Sequence, residues 1–142
     1  MNLRAAVLAI AFACLSIGAS VAASLRVAPV ELDVTKGGFS TKLTVWNTGK
    51  TAVGIQVRVY LWTQKGGEDI LTPTTAVVAS PPIGTLKPGG ENIIRIVRVA
   101  STPITARESY RVLVDQLPDP KAAKAGVVSI LVRHAIPLYF DP

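Results

Sequence analysis

The side chains of this sequence that could do chemistry are few, and their spacing argues against most reactions. His134 is the only histidine. Ser109 and Asp115 are available as triad partners, but Ser109 lies between Glu108 and Tyr110, without the sharp glycine-flanked turn that presents a nucleophilic serine. The acidic residues are scattered, and no pair stands at a metal-ligand spacing. These features predict neither an enzyme nor a metal or cofactor site. What remains is a set of arginines inside β-rich runs: Arg95, Arg111 and Arg133. A guanidinium grips a carboxylate through two parallel hydrogen bonds, so the chemistry on offer is capture rather than bond-making. The alternative is that each is a solvated sheet-face residue. Trp46 and Trp62 could form a sugar platform; the simpler reading puts Trp46 in the core and Trp62 in strand-end packing.

The elements that must position these groups begin after a leader. Arg4 supplies a positive start, residues 5–17 form an apolar stretch too short to span a bilayer comfortably, and residues 20–23 are small. Residues 1–23 are therefore expected to act as a cleaved signal peptide. No stable membrane insertion should follow, and the chain should be exported. Cleavage would leave residues 24–142 as one domain without Cys14, the only cysteine. Such a domain relies on packing and sheet hydrogen bonds rather than on disulfides or thiol chemistry. Removing Arg4 lowers the formal charge from +6 to +5. That excess is spread thinly, with no aromatic-plus-basic cluster of the kind nucleic acid requires.

Turn signals recur at Lys36-Gly37-Gly38, Asn47-Thr48-Gly49, Lys65-Gly66-Gly67 and Lys87-Pro88-Gly89-Gly90. Between them lie β-rich runs over 25–34 (interrupted by Pro29), 41–47, 55–62, 75–80, 92–99, 109–117 and 127–140. The run 55–62 alternates most clearly. Residues 118–126 read as an exposed loop. The pattern predicts an all-β, seven-stranded immunoglobulin-like β-sandwich.

One spaced signature goes beyond what a sandwich needs. It comprises Pro81-Pro82, Leu86 with Pro88-Gly89, Ile94-Arg95-Ile96, Arg107-Glu108-Ser109 and Leu117-Pro118, and the chain ends Ile136-Pro137-Leu138-Tyr139-Phe140-Asp141-Pro142. Together with the leader, this set resembles the amino-terminal domain of periplasmic pilus (fimbrial) assembly chaperones of the chaperone–usher pathway. The run from Tyr110 to Val114 leans toward the divergent, archaic branch. The resemblance implies a periplasmic chaperone in fimbrium biogenesis that lends its last strand to a pilus subunit lacking one, before delivery to an outer-membrane usher. The unpaired edge of such a subunit would otherwise aggregate. The family's usual second domain is not found in this chain.

By that resemblance Val128, Ile130 and Val132 fall on the lending positions, and their spacing of two puts them on one strand face. Burying three such side chains supplies ~5–9 kcal/mol gross, much of it offset by ordering. Ordinary core is the competing reading for them, and Leu131 could equally point inward. The family also anchors the subunit's terminal carboxylate with two basic residues. Here Glu31 and Pro137 occupy those places, and Asp141 replaces a further basic residue. Arg111, with Arg95 or Arg133, is the candidate replacement. The alternative to a chaperone is a secreted structural or adhesive immunoglobulin-like module.

Overall fold

The computed structural model describes residues 24–121, 126 and 129–142. Ten β-segments run in order: β1 Leu25–Ala28, β2 Leu32–Val34, β3 Ser40–Asn47, β4 Val53–Lys65, β5 Glu68–Pro73, β6 Val77–Ser80, β7 Ile83–Leu86, β8 Glu91–Arg98, β9 Glu108–Gln116 and β10 Arg133–Phe140. They form two sheets. The four-stranded sheet has the order β1-β3-β8-β6, and the six-stranded sheet runs β2-β10-β9-β4-β5 with β7 also on β4. The all-β sandwich follows the expectation; the division into segments is finer than the seven runs in the sequence. Pro29 splits the first run, and its halves join opposite sheets. β5 escapes a reading based on alternation because all six of its residues are exposed, so neither face is selected to be apolar. β7 is four residues long with Gly84 inside it.

Local chemistry fixes the turns. β4 and β5 are joined by Gly66 and Gly67, both at positive φ (61° and 83°), the conformation a two-residue hairpin of type I′ demands. At Lys87-Pro88-Gly89-Gly90, proline presets the first central residue and Gly89 takes φ 72°, with Gly90 N donating to Lys87 O at 2.8 Å, as in a type II turn. Asn47 is buried, yet its side chain is satisfied. Nδ2 donates to Thr51 O (2.7 Å) and Leu86 O (3.1 Å), and Oδ1 accepts from Gly49 N (2.9 Å), so one amide ties the β3–β4 turn to the end of β7.

Strict alternation builds the core. Leu43 and Val45 of β3 and Ile94 and Ile96 of β8 face Ile55 and Val57 of β4, Val112 and Val114 of β9, and Ile136, Leu138 and Phe140 of β10. Each such side chain contributes about 1.5–3 kcal/mol through burial. Tyr110 meets Phe140 edge to face, centroids 5.9 Å apart. Two polar ties cross between sheets. Arg98 of β8 grips Glu108 of β9 with two bonds, Nε to Oε2 at 2.8 Å and Nη2 to Oε1 at 2.7 Å. His134 Nε2 of β10 lies 3.1 Å from Leu25 O of β1.

Candidate functional site

β10 is covered unevenly. On one side β9 pairs with its whole length, from Arg133 opposite Asp115 to Phe140 opposite Glu108. On the other side β2 runs parallel to it and reaches only Leu138, Tyr139 and Phe140. Residues 133–137 therefore carry a backbone edge that no described strand occupies, on a strand whose far end is core. An edge of this kind is a template for another chain.

The three expected lending positions are placed differently. Val128 lies outside the described residues. Ile130 is 83% exposed, one of the most exposed large apolar side chains described. Val132 is half-buried against the core cluster. Leu131 does not turn inward; it is 47% exposed and lines an open cleft with Gln56, Arg58, Asp115, Gln116 and Arg133. The run expected from 127 begins as a strand only at Arg133, because upstream of it the ladder to β9 has already ended. A last link remains: Gln116 N donates to Val132 O at 2.9 Å, and Val132 N donates to Gln116 Oε1 at 3.3 Å.

The three arginines separate. Arg111 sits in the middle of β9, opposite Pro137 on β10 and Tyr60 on β4. The pairing of Leu32 with Leu138, extended one step, sets Glu31 level with Pro137. Positions 31, 137 and 111 thus lie side by side, and only the last is cationic. Arg111 is not free to swing: its guanidinium lies 3.9 Å over the Trp62 ring, and Nη2 is 3.6 Å from Asp69 Oδ2. Asp69 is held below the usual carboxylate range chiefly by the hydrogen bond from Gln64 Nε2. The indole N–H of Trp62, close enough to add to that shift, stops short of hydrogen-bond geometry. Arg133 is bound to Asp115. Arg95 lies on the other sheet, opposite Lys42 and Ser80, so it is not brought together with Arg111.

Further residues of this face were not evident as a group in the sequence. Arg58 Nη2 donates to Asp115 Oδ2 at 2.6 Å, so one carboxylate serves two guanidiniums from β4 and β10. Burial pushes the Asp115 carboxyl up, but hydrogen bonds from Arg133 and Arg58 outweigh that and hold it below its ordinary value. Arg107 bridges Asp33 (3.0 Å) and Asp141 (3.1 Å) and lies 4.0 Å over the Tyr139 ring, which packs 6.2 Å from Trp62. The available signal was an aspartate at an outward strand position within an apolar run. Trp46 is not core: its ring is half-buried on the outer face of the four-stranded sheet, with Arg26 4.4 Å above it. Ser109 and Asp115 stand six residues apart on β9, roughly 20 Å at strand rise, and His134 is engaged with Leu25, so no triad forms. Among the described residues no group of three or more His, Cys, Asp or Glu could hold a metal ion.

Comparisons with known proteins fit this geometry. The family profile described as "Pili and flagellar-assembly chaperone, PapD N-terminal domain" matches residues 24–142. Among solved structures, the CsuC–CsuE chaperone–tip adhesion subunit pre-assembly complex from archaic chaperone–usher Csu pili of Acinetobacter baumannii matches at TM-score 0.70 and 29% identity, covering 84% of this chain and 52% of that one. The Salmonella enterica SafA pilin–SafB chaperone complex matches at TM-score 0.68 and 19% identity, covering 87% and 57%. The Escherichia coli chaperone DraB matches at TM-score 0.63 and 22% identity, covering 84% and 55%. The latter two speak for the fold alone. The chain spans about half the length of these structures. No curated protein sequence matches it significantly.

Proposed function

We propose, from the premise that the chain belongs to the family of pili and flagellar-assembly chaperones through a PapD N-terminal domain, that it captures pilus subunits by lending them the open part of its last strand. The work is non-enzymatic: no bond is made or broken. The observation that carries the reading is the edge of residues 133–137, unpaired on one side, continuing into an exposed Ile130. A subunit short of one strand would pair with that edge and seat Ile130 and its spacing-two neighbours, Val128 and Val132, in its groove. Arg111 is the proposed anchor for the subunit's terminal carboxylate, supported by its place beside Pro137 and level with Glu31. Stacking on Trp62 presents its guanidinium in a fixed orientation. Arg95, on the opposite sheet, is left out of this role. We further place the protein in the periplasm and in the archaic branch, after a cleaved leader, with hand-over to an outer-membrane usher as the next step.

The test is co-expression in the periplasm with a pilus subunit of the source organism, followed by co-purification. Wild type should retain the subunit. Ile130→Asp, at an exposed position, should abolish retention without unfolding the chain, and Arg111→Ala should reduce it at least tenfold while Arg95→Ala leaves it unchanged. Retention by Ile130→Asp equal to wild type would overturn the strand-lending reading. Retention by Arg111→Ala equal to wild type would remove that residue from the site.

A further inference from the structure

Where the exposed segment leaves the sandwich, a single residue holds both backbone groups of another. Gln116 gives its main-chain N–H to Val132 O and accepts the Val132 N–H with its side-chain Oε1. In a regular antiparallel ladder a main-chain carbonyl would accept that second bond; here a side-chain amide stands in one step beyond the end of the strand. The following residue, Arg133, is tied to Asp115, the neighbour of Gln116, and Asp115 is itself braced by Arg58 from β4. Upstream, Ser129, Ile130 and Leu131 make no backbone hydrogen bond among the described residues. Val132 is thus the final fixed step before the segment enters solvent.

This matters because strand register is two-fold. A slip of one residue would swap the faces of Ile130 and Leu131, turning an apolar row toward the wrong side. Backbone bonds alone resist such a slip weakly at a strand end that has one neighbour. Two side chains on adjacent residues of β9, one gripping the main chain at 132 and one gripping the side chain at 133, define the register uniquely. We propose, building on the strand-lending reading above, that Gln116 and Asp115 are positioning residues that lock the register of the segment around Ile130. Neither touches the subunit. Each acts through Val132 or Arg133.

The experiment uses the full chain and two readouts. Amide hydrogen exchange on the free protein should show the Val132 amide losing protection at least tenfold in Gln116→Leu, with the amides of β3 and the unfolding midpoint unchanged. Gln116→Glu keeps an oxygen acceptor at the same reach and should restore protection. Asp115→Asn should loosen the same amide by a smaller factor. In the periplasmic co-purification, Gln116→Leu should retain severalfold less pilus subunit than wild type, and Gln116→Glu should recover it. Unchanged exchange at Val132 in Gln116→Leu would overturn the lock. Lost protection with full retention of subunit would overturn its role in capture. If wild type retains no subunit while the exchange results hold, the lock stands and the chaperone reading is what fails.

Discussion

Residues 129–140 fall into two halves, the lead-in 129–132 and β10 itself, that carry the same apolar pattern and meet opposite fates. In the downstream half, Ile136, Leu138 and Phe140 alternate with Pro137 and Tyr139, and all three apolar residues are buried. Upstream, Ile130 and Val132 continue the same parity, yet Ile130 is exposed and Val132 only half-covered. What differs is the surroundings. The downstream half pairs with β9 throughout, gains β2 at Leu138–Phe140 and lies over the second sheet, whereas the upstream half is held to β9 only through the Gln116–Val132 link. Alternation shows which side chains share a face. It does not show whether anything in the same molecule opposes that face.

The sharpest way to break this comparison is to truncate both halves. Phe140→Ala removes a fully buried ring and its edge contact with Tyr110, and should cost about 3–5 kcal/mol in denaturant unfolding. Ile130→Ala should change stability by less than about 0.5 kcal/mol while weakening subunit capture. Equal losses of stability would mean that the upstream segment is ordinary core in solution.

The same contrast explains how far the sequence could be read. The sandwich was legible because β3, β8 and the first part of β4 each have one face buried against the other sheet, which selects alternation. β5 has no such constraint and left no trace. Trp46 was misplaced because aromatic residues serve a core and an outer face equally well, and the covering cation, Arg26, comes from a different strand. Arg111 could be singled out as a charge within a strand, but its proximity to Pro137 depends on a register that only pairing supplies. Gln116 carried no signal at all: its side chain acts as a substitute carbonyl, a role that exists only once Val132 is beside it.

The ends of β9 extend the comparison to charge. At the covered end Glu108 is bound by Arg98, whose side chain is only 6% exposed, and accepts the Tyr110 hydroxyl at 3.0 Å. At the open end Asp115 serves two arginines whose side chains are 40% and 59% exposed. Glu108→Ala should therefore cost about 3 kcal/mol, near the lower limit for breaking a buried pair because Glu108 itself is partly exposed. Asp115→Asn should cost at most about 1 kcal/mol. Both carboxylates are held below their ordinary values, Glu108 first by the Arg98 hydrogen bonds. Their contribution is complete above an unfolded pKa of about 4 and is lost as pH falls through the lower folded values. Denaturation midpoints measured from pH 5 to 2 should fall less steeply in Glu108→Ala than in wild type.

At alkaline pH the covered end gives the opposite sign. Burial first, and then the hydrogen bond to Glu108, push the Tyr110 hydroxyl up to about 12. A raised folded pKa contributes stability that is present below the unfolded value of about 10 and is lost as pH rises through the folded one. Tyr110→Phe should cost about 1–2 kcal/mol near neutrality through the lost bond to a charged acceptor. It should also remove this tyrosine's share of the stability loss between pH 10 and 12, seen by denaturant unfolding at each pH.

A small effect on stability is expected from Arg111→Lys, and it distinguishes two ways in which that position could hold a carboxylate. Lysine keeps the positive charge but gives up the planar stack on Trp62 and the two-pronged donor geometry. The free protein should lose only about 0.5–1 kcal/mol, the range for a cation–π contact at a partly exposed site. Subunit retention should fall several-fold if fixed geometry is what matters, since the neighbouring positions are Pro137 and Glu31 and no second cation stands level with it to share the load. Retention equal to wild type would mean that charge alone suffices and that the Trp62 platform serves packing. Pairing this substitution with Trp62→Leu tests the point directly. If the stack orients the guanidinium, the two changes should not be additive, because each removes the same geometry.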